Sequence, residues 1–274
     1  MQHRGPIALF DSGEGGLTVL RHLWRQYPGE HFLYAADSLH FPYGPKPLNT
    51  VRTWFLAFLD FFLAEDARAI VIACNTATAA ALDEARRRSP VPVIGVVEPA
   101  CQRALQDSAQ SRIGVLSTEG TYRSGLYPHL ILGIKPDAHV VSRPCPVLVE
   151  MAENGQVDGE DVRFRVAECV EPVLATGVDT VILGCTHFPH MEQVFREVVG
   201  DRAVIIDPGM EVAEQLPQHV PDLRRDGSGH VTAFTTGNPR QFQDIAQLLV
   251  PELPLSVHTL QWDQEEWRLR HPSR

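Results

Sequence analysis

Residues 69–76, Ala69-Ile-Val-Ile-Ala-Cys74-Asn75-Thr76, and residues 180–187, Thr180-Val-Ile-Leu-Gly-Cys185-Thr186-His187, share one pattern: an unbroken apolar run, a cysteine, then polar residues. A short apolar run without alternation reads as a strand buried on both faces, as in a parallel sheet with helices above and below. A second pair precedes the first. Ile7-Ala-Leu-Phe10-Asp11-Ser12-Gly13 is echoed by Ile113-Gly-Val-Leu-Ser117-Thr118-Glu119-Gly120. Each half therefore runs strand and polar turn, then strand and cysteine turn. The separations are similar, 63 positions from Asp11 to Cys74 and 68 from Ser117 to Cys185.

Working outward, apolar runs at Phe32–Ala35, Val93–Val96, Val140–Ser142 and Val204–Ile206 also read as strands. Helical periodicity lies between them at Leu17–Gln26, Val51–Glu65, Thr78–Arg88, Val162–Ala175, Glu192–Val199 and Arg240–Leu249. Such alternation predicts an α/β fold. The echo predicts two similar domains, each a mostly parallel sheet flanked by helices, with the active site in the cleft between them. Residues 1–97 with 208–274 are expected to form the N-terminal domain, carrying Asp11 and Cys74. Residues 98–207 are expected to form the second, carrying Cys185 and His187. The segment Gln261–Arg274, charged and with two Trp, reads as a helix or a loose tail.

Composition narrows the function classes. The 274 residues, 44% hydrophobic and 21% charged, suit a globular enzyme with a substantial core. A formal net charge of −10 argues against non-specific nucleic-acid binding, which needs cations to neutralise phosphates. No apolar run reaches the ~18–20 residues of a membrane span. Met1-Gln2-His3-Arg4-Gly5-Pro6 leads straight into a strand without a signal-like apolar stretch, so a cytoplasmic address is expected. Five cysteines with no C-x-x-C pair suggest reduced thiols and no zinc ribbon. Cys185, His187 and His190 have no companion cluster of zinc-like spacing, so no metal is expected.

In open α/β sheets, ligands bind beyond the carboxyl ends of the strands. Asp11, Ser12, Cys74, Asn75, Thr76, Thr118, Cys185, Thr186 and His187 all fall at such ends. If the two halves face each other there, one cleft receives thiols from opposite sides. Inverting a stereocentre requires removing a proton from one face and delivering one to the other, which calls for two acid/base groups. Cysteine suits the task because its ordinary pKa, about 8.5, is close to neutrality. A free thiol is only a few per cent ionised at pH 7, so each needs a helper. Asp11 could face Cys74, His187 follows Cys185 by two residues, and helix N-termini after each Cys would favour the thiolate.

Cys101, Cys145 and Cys169 lack this context and read as packing residues. Asp11-Ser-Gly-Glu-Gly-Gly16 has neither the G-x-G-x-x-G order nor a G-K-[ST] ending, so nucleotide binding is unsupported. It offers backbone N–H groups and the Ser12 hydroxyl to a carboxylate, and Asn75, Thr76, Thr118 and Thr186 are either further polar lining or ordinary caps. Pro42-Tyr43-Gly44-Pro45 is a turn, at the cleft edge or on the surface. Glu98 and Glu150 read as caps or solvated charges.

At these residues the sequence resembles the glutamate racemases of the aspartate/glutamate racemase superfamily. The resemblance covers FDSGEGGLTVL at 10–20, FPYG at 41–44, ACNTATA at 73–79, GVVEP at 95–99 and GVLSTEGTYRSGLY at 114–127. It continues through CPVLVE at 145–150, LGCTHFP at 183–189 and FTTGNPRQF at 234–242. It implies Cys74 as the acid/base group for D-glutamate and Cys185 for L-glutamate, with Asp11 and His187 assisting. It further implies a substrate site of Asp11, Ser12, Tyr43, Gly44, Asn75, Thr76, Thr186 and His187, joined by Thr118, with Glu150 as a supporting acid. The implied enzyme needs no pyridoxal phosphate or metal, supplies D-glutamate to peptidoglycan and is a homodimer. Three positions depart from the pattern: His40 replaces an Arg, Glu14 replaces an aliphatic residue, and Pro208 stands where Asp-Ser-Gly is usual. Two alternatives stand beside this reading: a racemase of the same superfamily acting on aspartate or a related substrate, and a binding protein that kept the cleft without the chemistry.

Overall fold

A computed structural model describes residues 5–263 and 268–271. The first strands and helices alternate as β1 (Ile7–Asp11), α1 (Leu17–Gln26), β2 (His31–Ala36), α2 (Leu48–Ala64), β3 (Ala69–Ile72), α3 (Asn75–Arg88), β4 (Val93–Gly95) and α4 (Val97–Asp107). Next come β5 (Arg112–Ser117), α5 (Glu119–Ser124), α6 (Leu126–Ile134), β6 (His139–Pro144), α7 (Pro146–Glu153) and α8 (Glu160–Leu174). They are followed by β7 (Thr180–Gly184), α9 (Glu192–Val199), β8 (Val204–Ile206) and α10 (Pro208–Gln215). The chain closes with β9 (His230–Thr235), α11 (Pro239–Leu249), β10 (Leu255–Thr259), β11 (Gln261–Asp263) and β12 (Arg268–Arg270).

Two parallel sheets result. The larger has the order β10-β9-β2-β1-β3-β4 and the smaller β6-β5-β7-β8. Within the larger, β2-β1-β3-β4 has the same order and direction as the whole of the smaller sheet. The internal echo of the sequence is thus an echo of topology: β1 corresponds to β5, and β3 to β7. Asp11 pairs with Ala36 at the carboxyl end of β1, and Ser117 pairs with Gly184 at that of β5. Polar turns and cysteine turns consequently emerge side by side in each sheet.

Three layers of core hold this frame. One apolar cluster joins the sheets, packing Leu17, Leu20, Leu23 and Val212 with Ile7 and Leu9 of the first sheet and Ile113, Val115 and Ile182 of the second. The far face of the larger sheet buries Phe55, Phe58 and Phe62 of α2, with Phe10 edge-on to Phe55 at 5.0 Å. The far face of the smaller sheet buries Val166, Val170 and Val173 of α8 and Phe195 of α9. Full burial of such side chains stabilises by about 1.5–3 kcal/mol each, which fixes the strand ends relative to one another.

All eight expected strands and all six expected helices form, with ends shifted by a few residues. Not foreseen were β9 and β10, which extend the larger sheet beyond β2, and the helices α4, α5, α6, α7 and α10. The terminal segment is neither helix nor loose tail where it is described. Gln261–Asp263 pairs antiparallel with Arg268–Arg270, and Trp262 pairs with Leu269. Residues 264–267 and 272–274 lie outside the described residues, as do Met1–Arg4 of the reading without a signal peptide. Among the described residues, no helix is long and apolar enough to cross a membrane.

Candidate active site

One cavity brings together ten of the residues singled out in the sequence. Ser12, Tyr43, Gly44, Cys74, Asn75, Thr76, Thr118, Cys185, Thr186 and His187 line it, with Phe41, Pro42 and Val149 completing the wall. Cys74 arrives from the end of β3 and Cys185 from the end of β7, so the two thiols enter from different sheets. Both are free and buried.

Local sequence explains each placement. Cys74 is the N-cap of α3, and its sulfur accepts from Ala77 N at 3.5 Å and lies 3.8 Å from Ser12 Oγ. Asn75 accepts from the Tyr127 hydroxyl at 2.7 Å, which leaves its amide N–H groups for the cavity. Thr118 caps α5 and bonds Thr76 at 2.9 Å, stitching the two halves together beside the cavity. Gly15 lets the glycine loop lie against the Gly-Cys-Thr-His turn: a Cβ there would fall 2.6 Å from His187 Cε1 and from Thr186 Oγ1. Tyr43 is fully buried and donates to Asp37 at 2.7 Å, so its turn belongs to the site and not to the surface.

Asp11 lies behind the lining, fully buried. It accepts from Gly13 N at 3.2 Å and Gly16 N at 3.0 Å through one oxygen, and from the Thr186 hydroxyl at 3.4 Å through the other. Burial pushes its pKa up to about 6, against the opposing pull of His187 and the two N–H groups. On the Cys74 thiol, burial and then the Asp11 carboxylate act in the same direction and push the pKa up. The helix N-terminus is expected to lower it, and the bonds from the Ala77 N–H and the Ser12 hydroxyl do act that way, but desolvation and the Asp11 charge outweigh them. No α-helix begins at Cys185 either, because a 3-10 turn, Phe188–Met191, follows first.

His187 Nδ1 is 3.7 Å from the Cys185 sulfur, and Nε2 is bonded to Glu153 of α7. Burial disfavours the imidazolium, yet the bonds to Cys185 and Glu153 outweigh it and hold the His187 pKa well above its ordinary value. Glu150, expected as the supporting acid, is exposed on α7 and lines an outer hollow with Phe41, Pro45 and Pro146. Glu153, four residues after the cavity-lining Val149, shares that residue's inward face of the helix. The amphipathic spacing of Pro146–Glu153 was the signal that could have found it.

His190 stays outside the chemistry, with its Nε2 buried and unpartnered and its pKa lowered to about 3, chiefly by burial. Cys101, Cys145 and Cys169 are buried in the core clusters. Among the described residues no group of three or more His, Cys, Asp or Glu could hold a metal ion, and no Lys or Arg lines the cavity.

Two sheets of matching topology, each presenting a cysteine at the corresponding strand end to one polar cavity, define a duplicated α/β enzyme with a buried free thiol on either wall. The profile of the Asp/Glu/Hydantoin racemase family matches residues 19–216, and the chain belongs to that family. It is 46% identical to the glutamate racemase of Symbiobacterium thermophilum over 271 residues, covering 95% of this chain and 96% of that one. Its structure resembles that of a glutamate racemase isoform from Bacillus anthracis with a TM-score of 0.89 at 33% identity, covering 94% of this chain and 98% of the other. The Francisella tularensis glutamate racemase in complex with D-glutamate gives a TM-score of 0.85 at 27% identity, covering 93% and 97%.

Proposed function

We propose that this chain interconverts L- and D-glutamate without a cofactor, by proton transfer between Cα and two cysteines. The observation that carries the reading is the entry of Cys74 and Cys185 into one cavity from two different sheets. The similar relatives, named glutamate racemases across nearly their whole length, supply the substrate.

In this mechanism the Cys74 thiolate takes the Cα proton of D-glutamate while the Cys185 thiol protonates the opposite face, and the reverse holds for L-glutamate. Burial and the neighbouring Asp11 carboxylate disfavour a thiolate at Cys74. The substrate ammonium brings a compensating positive charge that favours it, so the base forms where it is used. On the other wall, the Glu153–His187 pair presents an N–H to the Cys185 sulfur and can supply or hold its proton. The substrate carboxylates would be held by Asn75, by the hydroxyls of Ser12, Thr76, Thr118 and Thr186, and by backbone N–H groups. The division into 1–97 with 208–274, and 98–207, belongs to the same reading, each unit contributing one thiol. The resemblance adds a cytoplasmic homodimer that feeds peptidoglycan synthesis.

Purified protein, incubated in ²H₂O without pyridoxal phosphate, is expected to place deuterium at Cα of both glutamate enantiomers. Cys74→Ala and Cys185→Ala are each expected to abolish racemisation while leaving the far-ultraviolet circular dichroism unchanged. Full turnover by either variant would refute the two-base assignment. Absence of exchange from the unaltered protein would remove the racemase reading altogether.

A further inference from the structure

Glu14, in the middle of the glycine loop between β1 and α1, is the departure with the largest physical consequence. Its side chain is buried, 7% exposed, in a position where water cannot solvate a charge. The Glu153 carboxylate lies against the same loop, its Oε1 3.4 Å from where a Cβ on Gly13 would sit. Each of the two carboxyl groups acts on the other's ionisation, as the partners in a shared hydrogen bond do. Two ionised carboxylates cannot share such a bond, because neither has a donor.

We propose that Glu14 is a positioning residue that shares one proton with Glu153, so that Glu14, Glu153, His187 and Cys185 form a single hydrogen-bonded chain ending in a carboxyl pair. The inference rests on the racemase reading for its kinetic consequence, though not for its structure. The Glu14 hydroxyl donates to Glu153, Glu153 accepts from His187 Nε2, and His187 Nδ1 faces the thiol. Burial first, and the Glu153 charge second, push the Glu14 pKa up to about 8. Glu153 is held below its ordinary value; burial opposes this, and the bonds from His187 and Glu14 outweigh it.

The other titratable groups that interact with Glu14 are Tyr34 from β2 and His187 from the turn after β7. Of these only His187 is cationic. Near neutral pH the pair carries one negative charge against that imidazolium. Above pH 8, loss of the Glu14 proton places a second charge beside it. The donor is then gone, the imidazolium holds its proton more tightly, and ionisation of Cys185 is opposed. All three effects slow proton transfer, so turnover should fall on the alkaline side.

The test compares Glu14→Gln, which keeps a donor that cannot titrate, with Glu14→Val, which has none. The kcat/KM of both glutamate enantiomers is measured across the pH range. With a pKa of about 8, kcat/KM of the unaltered enzyme is expected to fall about tenfold by pH 9. The fall must be the same in both directions, because the two enantiomers have equal free energy. Glu14→Gln should fall less than about twofold over that interval. Near neutral pH, Glu14→Val should lose about tenfold in kcat at little cost in KM, and Glu14→Gln should restore most of that loss. An alkaline limb unchanged in Glu14→Gln, or a Gln variant as slow as the Val variant, overturns the proposal. If the unaltered protein does not turn over glutamate, the racemase reading fails by itself. The shared proton is then read by infrared spectroscopy as a protonated-carboxyl band that titrates near pH 8 and is missing from Glu14→Gln. Absence of that band overturns the proposal independently of turnover.

Discussion

Replacing Asp37 tests whether the turn that frames the cavity is held by one buried carboxylate. Asp37 is fully buried and accepts four side-chain hydrogen bonds. Tyr43 Oη at 2.7 Å and His40 Nδ1 at 2.8 Å reach one oxygen; Thr236 Oγ1 and Trp262 Nε1, both at 2.9 Å, reach the other. The His40 ring also stacks on Trp54 at 4.1 Å, so His40, where the family pattern has Arg, is a packing element as well as a donor. Asp37→Ala strands four donors, each worth about 1–3 kcal/mol if left dry. The total falls short of their sum because His40 and Trp262 are half-buried and can turn to water. A loss of about 3–5 kcal/mol is expected, as for a broken buried charge network. Asp37→Asn keeps an acceptor for Thr236 and Trp262 and should lose only about 1–2 kcal/mol. Urea unfolding followed by tryptophan fluorescence gives both values, and glutamate kinetics should show KM rising more than kcat as Tyr43 loosens. An Asp37→Ala midpoint within about 1 kcal/mol of the unaltered protein, or equal to that of Asp37→Asn, would refute the reasoning.

Two further outcomes follow from the electrostatics. The Asp11 pKa of about 6 exceeds its unfolded value of 3.8, so this group's contribution to stability is full below pH 3.8 and is lost as pH rises through 6. Asp11→Asn should therefore stabilise the protein at pH 7 by up to about 3 kcal/mol, from some two pKa units at 1.36 kcal/mol each. If ionised Asp11 is needed, kcat/KM of the unaltered enzyme should rise with pH across 6, and a flat profile there would exclude that need. On α7, Glu153→Gln should slow racemisation by roughly 10²–10⁴, whereas Glu150→Gln, at an exposed position, should change it by less than about threefold. The opposite ranking in steady-state assays would support Glu150 as the supporting acid that the resemblance implies.

The strands whose ends reach the cavity were legible because burial on both faces leaves an unbroken apolar run, and the repeat doubled the signal. β9 and β10 escaped for the converse reason. His230-Val-Thr-Ala-Phe-Thr235 and Leu255-Ser-Val-His-Thr259 interleave polar residues, and burial alternates along β10 and over the first half of β9, where one face stays partly open. The helices α5, α6 and α7 are short or begin at proline, with too few turns for a periodicity to stand out. In the site, strand-end position alone brought Ser12, Cys74, Asn75, Thr76, Cys185 and His187 to one cavity. Glu153, Glu14 and Asp37 were missed as partners because carboxyl pairing across elements leaves no mark on spacing. The buried state of Tyr43 likewise depends on Asp37 and not on its own turn.

The larger sheet is completed from both ends of the chain, and this has a consequence for synthesis on the ribosome. β2 pairs with β1 on one side and with β9 on the other, through His31–Ala36 against His230–Thr235. About 195 residues separate Ala36 from His230. At about 5–20 residues per second, translation leaves the Phe32-Leu-Tyr-Ala-Ala36 edge without its neighbour for roughly 10–40 s. An apolar edge so exposed is a template for intermolecular pairing. A nascent chain arrested before His230 should therefore aggregate or recruit chaperones, and one released after Thr259 should not.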